Sequence, residues 1–192
     1  QSRKRFTLVA NRVTEDKLEP IELQDKVLTV RDVLGVENGF PKIPAGHQDE
    51  SDYMHSCAGL SEINLQRLKL IPKDGGSRSA FADRPDLQLK CFIGKDDSFR
   101  DTFGRLWWDR PAPTITTKFF SISNGRFVHP EEDRALSLRE GATLQSFPKT
   151  YVFKATGRDK IARLIGNAVP PKYAEQIGKA IVNNAYRTKY GE

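Results

Sequence analysis

The chain has 192 residues, 31 Lys and Arg against 25 Asp and Glu, and a net charge of +6. That length suits one domain, or one plus part of another, and the basic excess suits an anionic partner without proving one. No apolar run approaches the ~20 residues of a membrane span and no signal peptide is visible; Cys57 and Cys91 stand alone without CxxC spacing, against a zinc site or a disulfide framework.

In chain order, Gln1-Ser2-Arg3-Lys4-Arg5 runs into Phe6-Thr7-Leu8-Val9-Ala10, which reads as a buried strand. A period of two puts Gln1, Arg3 and Arg5 on one face, where planar donors can meet a base edge or a phosphate; a solvated basic strand end is the other reading. The chain begins at Gln1 rather than Met, inside this charged motif, and so reads as an excised or processed piece. Polar residues follow as a loop to Lys26. Leu28 to Gly35 predicts a short helix, with Thr29 as cap, Asp32 three residues on and Gly35 as its end. Leu60, Ile63, Leu68 and Ile71 approximate one helical stripe, with Arg67 and Lys69 off it. His55 and Cys57 lack an orienting carboxylate and read as structural. In Asp74-Gly75-Gly76-Ser77-Arg78 two glycines permit close approach to a phosphate or base, or simply form a turn. Trp107-Trp108 read as packing anchors.

Arg110 to Pro148 has the least ambiguous local design. Pro111 and Pro113 stiffen an extended lead-in. Thr114 to Phe120 predicts a strand, Asn124-Gly125 a turn, and Arg126 to Val128 a returning strand. Ser137-Leu138-Arg139-Glu140 is a capping box, and the helix after it stops at Phe147-Pro148. Thr114, Thr116 and Thr117 read as phosphate ligands or as strand filler, and Arg134 and Arg139 as cleft residues or a solvated face. Ile161 to Ile165 predicts one or two helical turns ended at Gly166. Gly166-Asn167-Ala168-Val169-Pro170-Pro171 then opens a last helix with Pro170, Ala174, Ile177 and Ile181 on its apolar face.

RPAPTITT, HPEEDRALSLREGATLQSFP and IGNAVPP, with QSRKRFTLVA at the front, together resemble the C-terminal blocks of the DNA (cytosine-5) methyltransferase family, over roughly Arg105 to Ala180 and Gln1 to Ala10. The resemblance implies an α+β fold: a mixed target-recognition domain over residues 30–165, with a terminal strand in 1–29 and a helix in 166–192 that belong to a truncated Rossmann-like catalytic domain. Without their partners those two elements leave apolar surface exposed. The resemblance implies that Arg5 contacts the target cytosine and Arg3 helps hold that pocket. Gly166, Asn167, Ala168 and Val169 flank S-adenosylmethionine, with Asn167 at a helix N-terminus. Double-stranded DNA is the implied partner, with Gly75, Gly76, Ser77, Arg78, Arg105 and Thr116 as candidate contacts and no metal or membrane. A bacterial cytoplasmic or nucleoid-associated place follows from the same likeness.

In that family a cysteine thiolate of a Pro-Cys block attacks carbon 6 of a flipped cytosine, and carbon 5 then takes the methyl group. Here Ser56 precedes Cys57 and Lys90 precedes Cys91. The glycine-rich cofactor loop and the Glu-Asn-Val block are also missing. The expectation is therefore an inactive portion whose catalytic region lies in cis or on a second chain. A standalone DNA-binding module is the alternative, and an RNA substrate ranks below both.

Overall fold

The computed structural model describes residues 1–2, 7–10, 12, 26–94 and 98–190, with side chains through 183. Its α-helices are α1 (Glu62–Leu70), α2 (Leu138–Leu144), α3 (Arg158–Asn167) and α4 (Pro171–Tyr190), with short 3-10 turns at Val36–Asn38, Tyr53–His55, Arg78–Phe81 and Lys90–Phe92.

The capping box predicted at Ser137 is present in both halves. The Glu140 amide donates to Ser137 Oγ at 3.1 Å and the Ser137 amide donates to Glu140 Oε2 at 2.7 Å. α2 ends sooner than the proline alone implies, because Ser146 adopts φ +71° and turns the chain before Phe147. The predicted helix at 28–35 is a single turn. Asp32 accepts from Thr29 N and Oγ1 at 2.7 and 2.9 Å, Leu34 N reaches Val30 O at 2.9 Å, and Gly35 at φ +94° stops it. Lys26 and then Thr29, as donors, hold the Asp32 carboxyl down at about 2. In α1, Leu68 and Ile71 are buried as predicted, but Ile63 is 41% exposed and Arg67 is buried. Arg67 is drawn inward by the Leu87 carbonyl at 2.7 Å and the face of Phe103 at 5.8 Å.

Among the described residues there is no extended ladder, only isolated bridges pairing Arg105 with Val128 and Val128 with Ala135. The strand predicted over 114–120 does not form. Pro111 and Pro113 have no N–H to give a ladder. Two of the groups that remain are spent on the chain's front end: Ser2 N donates to Ala112 O at 2.8 Å, and Ile115 N donates to the Gln1 side chain at 2.9 Å. The strand predicted at Phe6 to Ala10 is tested only at 7–10, which show no regular structure, with Leu8 79% exposed.

Two apolar cores result. One gathers Leu34, Trp108, Ile115, Phe119, Leu138 and Ile165 around α2 and α3. The second gathers Leu68, Ile71, Phe81, Phe103 and Val128 beside α1. α2 lies against α3 and the Tyr53–His55 turn. Phe119 sits so close over Gly141 that a Cβ there would lie 2.1 Å from its ring, so the helix and the 110–120 loop pack backbone to ring.

Candidate base and cofactor rim

Buried charge anchors this scaffold. Arg134, predicted as a cleft residue or a solvated one, is neither; it is fully buried. Its guanidinium grips Glu140 at 2.7 and 2.8 Å, Glu132 at 3.1 Å and the Ile43 carbonyl at 3.2 Å. Burial pushes the Glu140 carboxyl up, but the Arg134 charge outweighs it and holds the group at about 2. Arg139 is likewise turned inward, forked onto Asp52 at 3.0 and 3.1 Å and bonded to the Tyr151 carbonyl at 2.9 Å. His129 is buried and kept neutral chiefly by desolvation. The sequence pattern of charged residues carries no mark of this burial.

His55 and Cys57 are structural, as expected. His55 Nδ1 meets Ser137 Oγ at 3.2 Å, and the Cys57 thiol donates to the Pro44 carbonyl at 3.2 Å while burial raises its pKa.

Gly75 and Gly76 meet protein rather than open space. A Cβ on Gly75, at φ +96°, would lie 1.9 Å from the Trp107 indole nitrogen; one on Gly76 would lie 2.2 Å from the Pro72 carbonyl oxygen. Arg126 donates to both of their carbonyls, at 3.0 and 3.2 Å, and stacks on Trp107 at 4.0 Å. Arg105 joins this group as a correction to its predicted DNA contact. It is fully buried and donates to the carbonyls of Ile71, Leu68, His129 and Glu132 and to Asp133. It ties α1 to the 129–133 turn, so its fork faces the interior. Ser77 bonds Ser79 at 2.9 Å, and Arg78 stacks on Phe92 at 4.7 Å and donates to the Ser98 carbonyl at 2.8 Å. Arg78 lines a small cleft of about 160 Å³ with Phe81, Phe92 and Ile93.

The other predicted residues come together elsewhere. Gly166, next to last in α3, is pressed against the loop that carries exposed Thr116: a Cβ on it would lie 2.5 Å from the Thr116 carbonyl carbon and the Thr117 nitrogen. The same loop takes the front of the chain, through Ser2 N to Ala112 O and through Thr114 Oγ1, which donates to Ser2 O at 2.9 Å. The front of the chain and Gly166, near the end of α3, are thus both seated on residues 112–117. Arg3 and Arg5 lie outside the described residues; on either side of them, Ser2 is on this loop and Thr7 Oγ1 is 2.8 Å from the Tyr173 hydroxyl of α4.

Asn167 requires a correction. It is the last residue of α3, with Ala168 as C-cap, and not at the amide-presenting start of the following helix, which begins at Pro171. Its side chain is exposed, as is Val169 at 59%. Beside this turn lies a groove of about 520 Å³ walled by Phe147, Tyr151, Phe153, Leu164 and Ala168, whose three aromatic rings stand 4.8–5.0 Å apart. Neither this aromatic cluster nor Gln145, a fully buried amide that is the C-cap residue of α2, was singled out from the sequence.

Residues 1–183 match the family described as C-5 cytosine-specific DNA methylase. The chain belongs to the C-5 cytosine-specific DNA methylase family. It is 40% identical to a Type II methylase, M.HgiDII, from Herpetosiphon aurantiacus, over 94% of this chain and 51% of the relative. It is 34% identical to DNA (cytosine-5)-methyltransferase 3 of Arabidopsis thaliana, over 80% of this chain and 12% of the relative. It is 36% identical to Type II methyltransferase M1.BsuMI of Bacillus subtilis, over 63% of this chain and 27% of the relative. The chain therefore spans about half the length, or less, of these curated relatives. Among the described residues no helix is long and apolar enough to cross a membrane, and no cluster of His, Cys, Asp and Glu suits a metal.

Proposed function

We propose that this chain supplies DNA recognition and one rim of the base and cofactor pockets in an S-adenosylmethionine-dependent DNA (cytosine-5) methyltransferase. The observation that carries the reading is the shared seat: the Gln1-Ser2 front and the Gly166 turn both rest on residues 112–117. Arg3 and Arg5, following directly on Ser2, are planar donors for a cytosine that has left the stack.

The residues beside Asn167 suit the cofactor. An aromatic groove offers ring faces to a heterocycle, and the exposed Asn167 carboxamide offers a donor and an acceptor at its edge. S-adenosylmethionine, when bound, supplies the methyl group. Ser77, Arg78 and Thr116 act on the DNA side; Gly75 and Gly76 shape the loop that carries Ser77 and Arg78 by packing on Trp107 and Pro72, and Arg105 supports it from the interior.

Neither cysteine suits the nucleophile, since Cys57 is a buried, raised-pKa thiol and Cys91 follows Lys90. The chain then needs a catalytic region, in cis or as a second polypeptide. The apolar residues left in water around the rim support that docking: Leu8, Val169, Ile181 and Val182 are 79, 59, 44 and 64% exposed. Residues 1–29 and 166–192 are assigned to the catalytic side, 30–165 to recognition, and the setting to a bacterial cytoplasm or nucleoid.

Radiolabelled methyl transfer tests this. This chain with duplex DNA is expected to give background counts, and addition of the catalytic region is expected to give labelled cytosine. Robust incorporation by this chain alone, or none from the combination, contradicts the reading. Tight duplex binding with no gain on adding the catalytic region favours a standalone binding module.

A further inference from the structure

Three hydrogen bonds through two side-chain amides join the front of the chain to the end of α3. The Ile115 amide donates to Gln1 Oε1 at 2.9 Å, Gln1 Nε2 donates to Gln145 Oε1, and Gln145 Nε2 donates to the Ile165 carbonyl at 2.7 Å. We infer that Gln145 is a positioning residue that holds the base-facing edge and the cofactor-facing turn at a fixed separation. The inference rests on the function proposed above and deepens it.

The polarity of this relay is dictated from its ends. A backbone N–H only donates and a backbone carbonyl only accepts, so neither glutamine can flip its amide without setting two donors or two acceptors face to face. Gln145 is fully buried, where a mispaired amide is costly. The Ile165 carbonyl also accepts from Ala168 N at 3.2 Å, the bond that caps α3. A shift of Gln145 therefore reaches the carbonyl that shapes the 166–169 turn. At the other end, Gln1 precedes Ser2, whose backbone is clamped at Ala112 and Thr114, and Arg3 and Arg5 follow. An apolar side chain at 145 alone takes this partner from the Gln1 amide and from the Ile165 carbonyl, whereas apolar replacement of both glutamines costs less. What the amide adds is direction and a set spacing between two rims.

The test uses the complete enzyme, this chain together with its catalytic region, and compares Q145L, Q145E, Gln1→Leu and the Gln1→Leu/Q145L double variant. Each single change is expected to lower kcat roughly 10- to 100-fold through misplacement of the reacting groups, while duplex affinity stays within about threefold. Q145E keeps the acceptor for Gln1 but sets an oxygen against the Ile165 carbonyl, and is expected to be as slow as Q145L. The double variant is expected to be no slower than the slower single, because both break one relay. Gln1→Leu, at the half-exposed end, leaves the α2–α3 contact untouched and decides the matter if Q145L does not fold; faster hydrogen exchange at the Ile115 amide marks the broken relay. Unchanged kcat in folded variants, or effects that multiply in the double variant, overturns the inference while the function stands. A wild-type enzyme that methylates no cytosine overturns the functional reading and this inference with it.

Discussion

Arg105 and Gly166 show how far a residue's role departs from its type. The family resemblance implies a DNA contact for Arg105, yet Arg105 has four carbonyls and a carboxylate around a fully buried fork. Nothing in local sequence reports that density of acceptors, because they come from residues 68–71 and 129–133. Arg105→Lys keeps the charge but loses the fork. It is expected to lower stability by about 1–3 kcal/mol in denaturant titration, with DNA affinity falling only as folded protein is lost. A selective loss of affinity at unchanged stability would contradict the interior role. Gly166 was legible as part of a motif, but its reason is spatial: no Cβ fits against Thr116 and Thr117. Gly166→Ala is expected to destabilise by about 1–3 kcal/mol and, in the complete enzyme, to raise KM for the cofactor more than for DNA.

At the scale of elements, the start of the capped helix was legible, since Ser137 and Glu140 meet within one turn, while its end at Leu144 was not. Nor were the strands. Proline removes ladder donors, and the remaining amide at Ile115 is taken by a side chain from 114 positions earlier in the chain. The α3–α4 junction was misplaced by a few residues, because Pro170 and Pro171 mark where a helix begins but not where the previous one ends.

α2 also carries the clearest pH dependence. Glu140 titrates at about 2 when folded, against an ordinary 4.5, so its contribution is complete above 4.5 and is lost as pH falls towards 2. His129, depressed from 6.5 by burial, adds a loss that begins below that value. Melting temperature is expected to fall from pH 6 to pH 2 in the wild type. Glu140→Gln strips Arg134 of one of its two carboxylate partners, leaving Glu132, and is expected to cost about 3–5 kcal/mol near neutrality, with the gap to wild type closing near pH 2. A gap that stays constant across that range would contradict the ion-pair assignment.

For the whole molecule, a net charge of +6 and membership in a DNA methylase family fit the duplex partner proposed above. Affinity measured by fluorescence anisotropy is expected to fall about 10- to 100-fold between 50 and 200 mM salt, on the order of three phosphate contacts. A flat salt response would contradict backbone recognition. The family resemblance implies a pocket shared by the two ends of the chain; among the described residues, Gln1, Ser2 and Gly166 rest on one loop, and Arg3 and Arg5 lie outside those residues.

The most direct measurement is a structure of the complete enzyme bound to duplex DNA and S-adenosylmethionine. The account predicts one concavity in which the Arg5 guanidinium meets an extruded cytosine and the Asn167 turn borders the cofactor, joined beneath by Gln1 and Gln145. An Arg5 guanidinium and an Asn167 carboxamide on opposite faces, with no cavity between them, would contradict it.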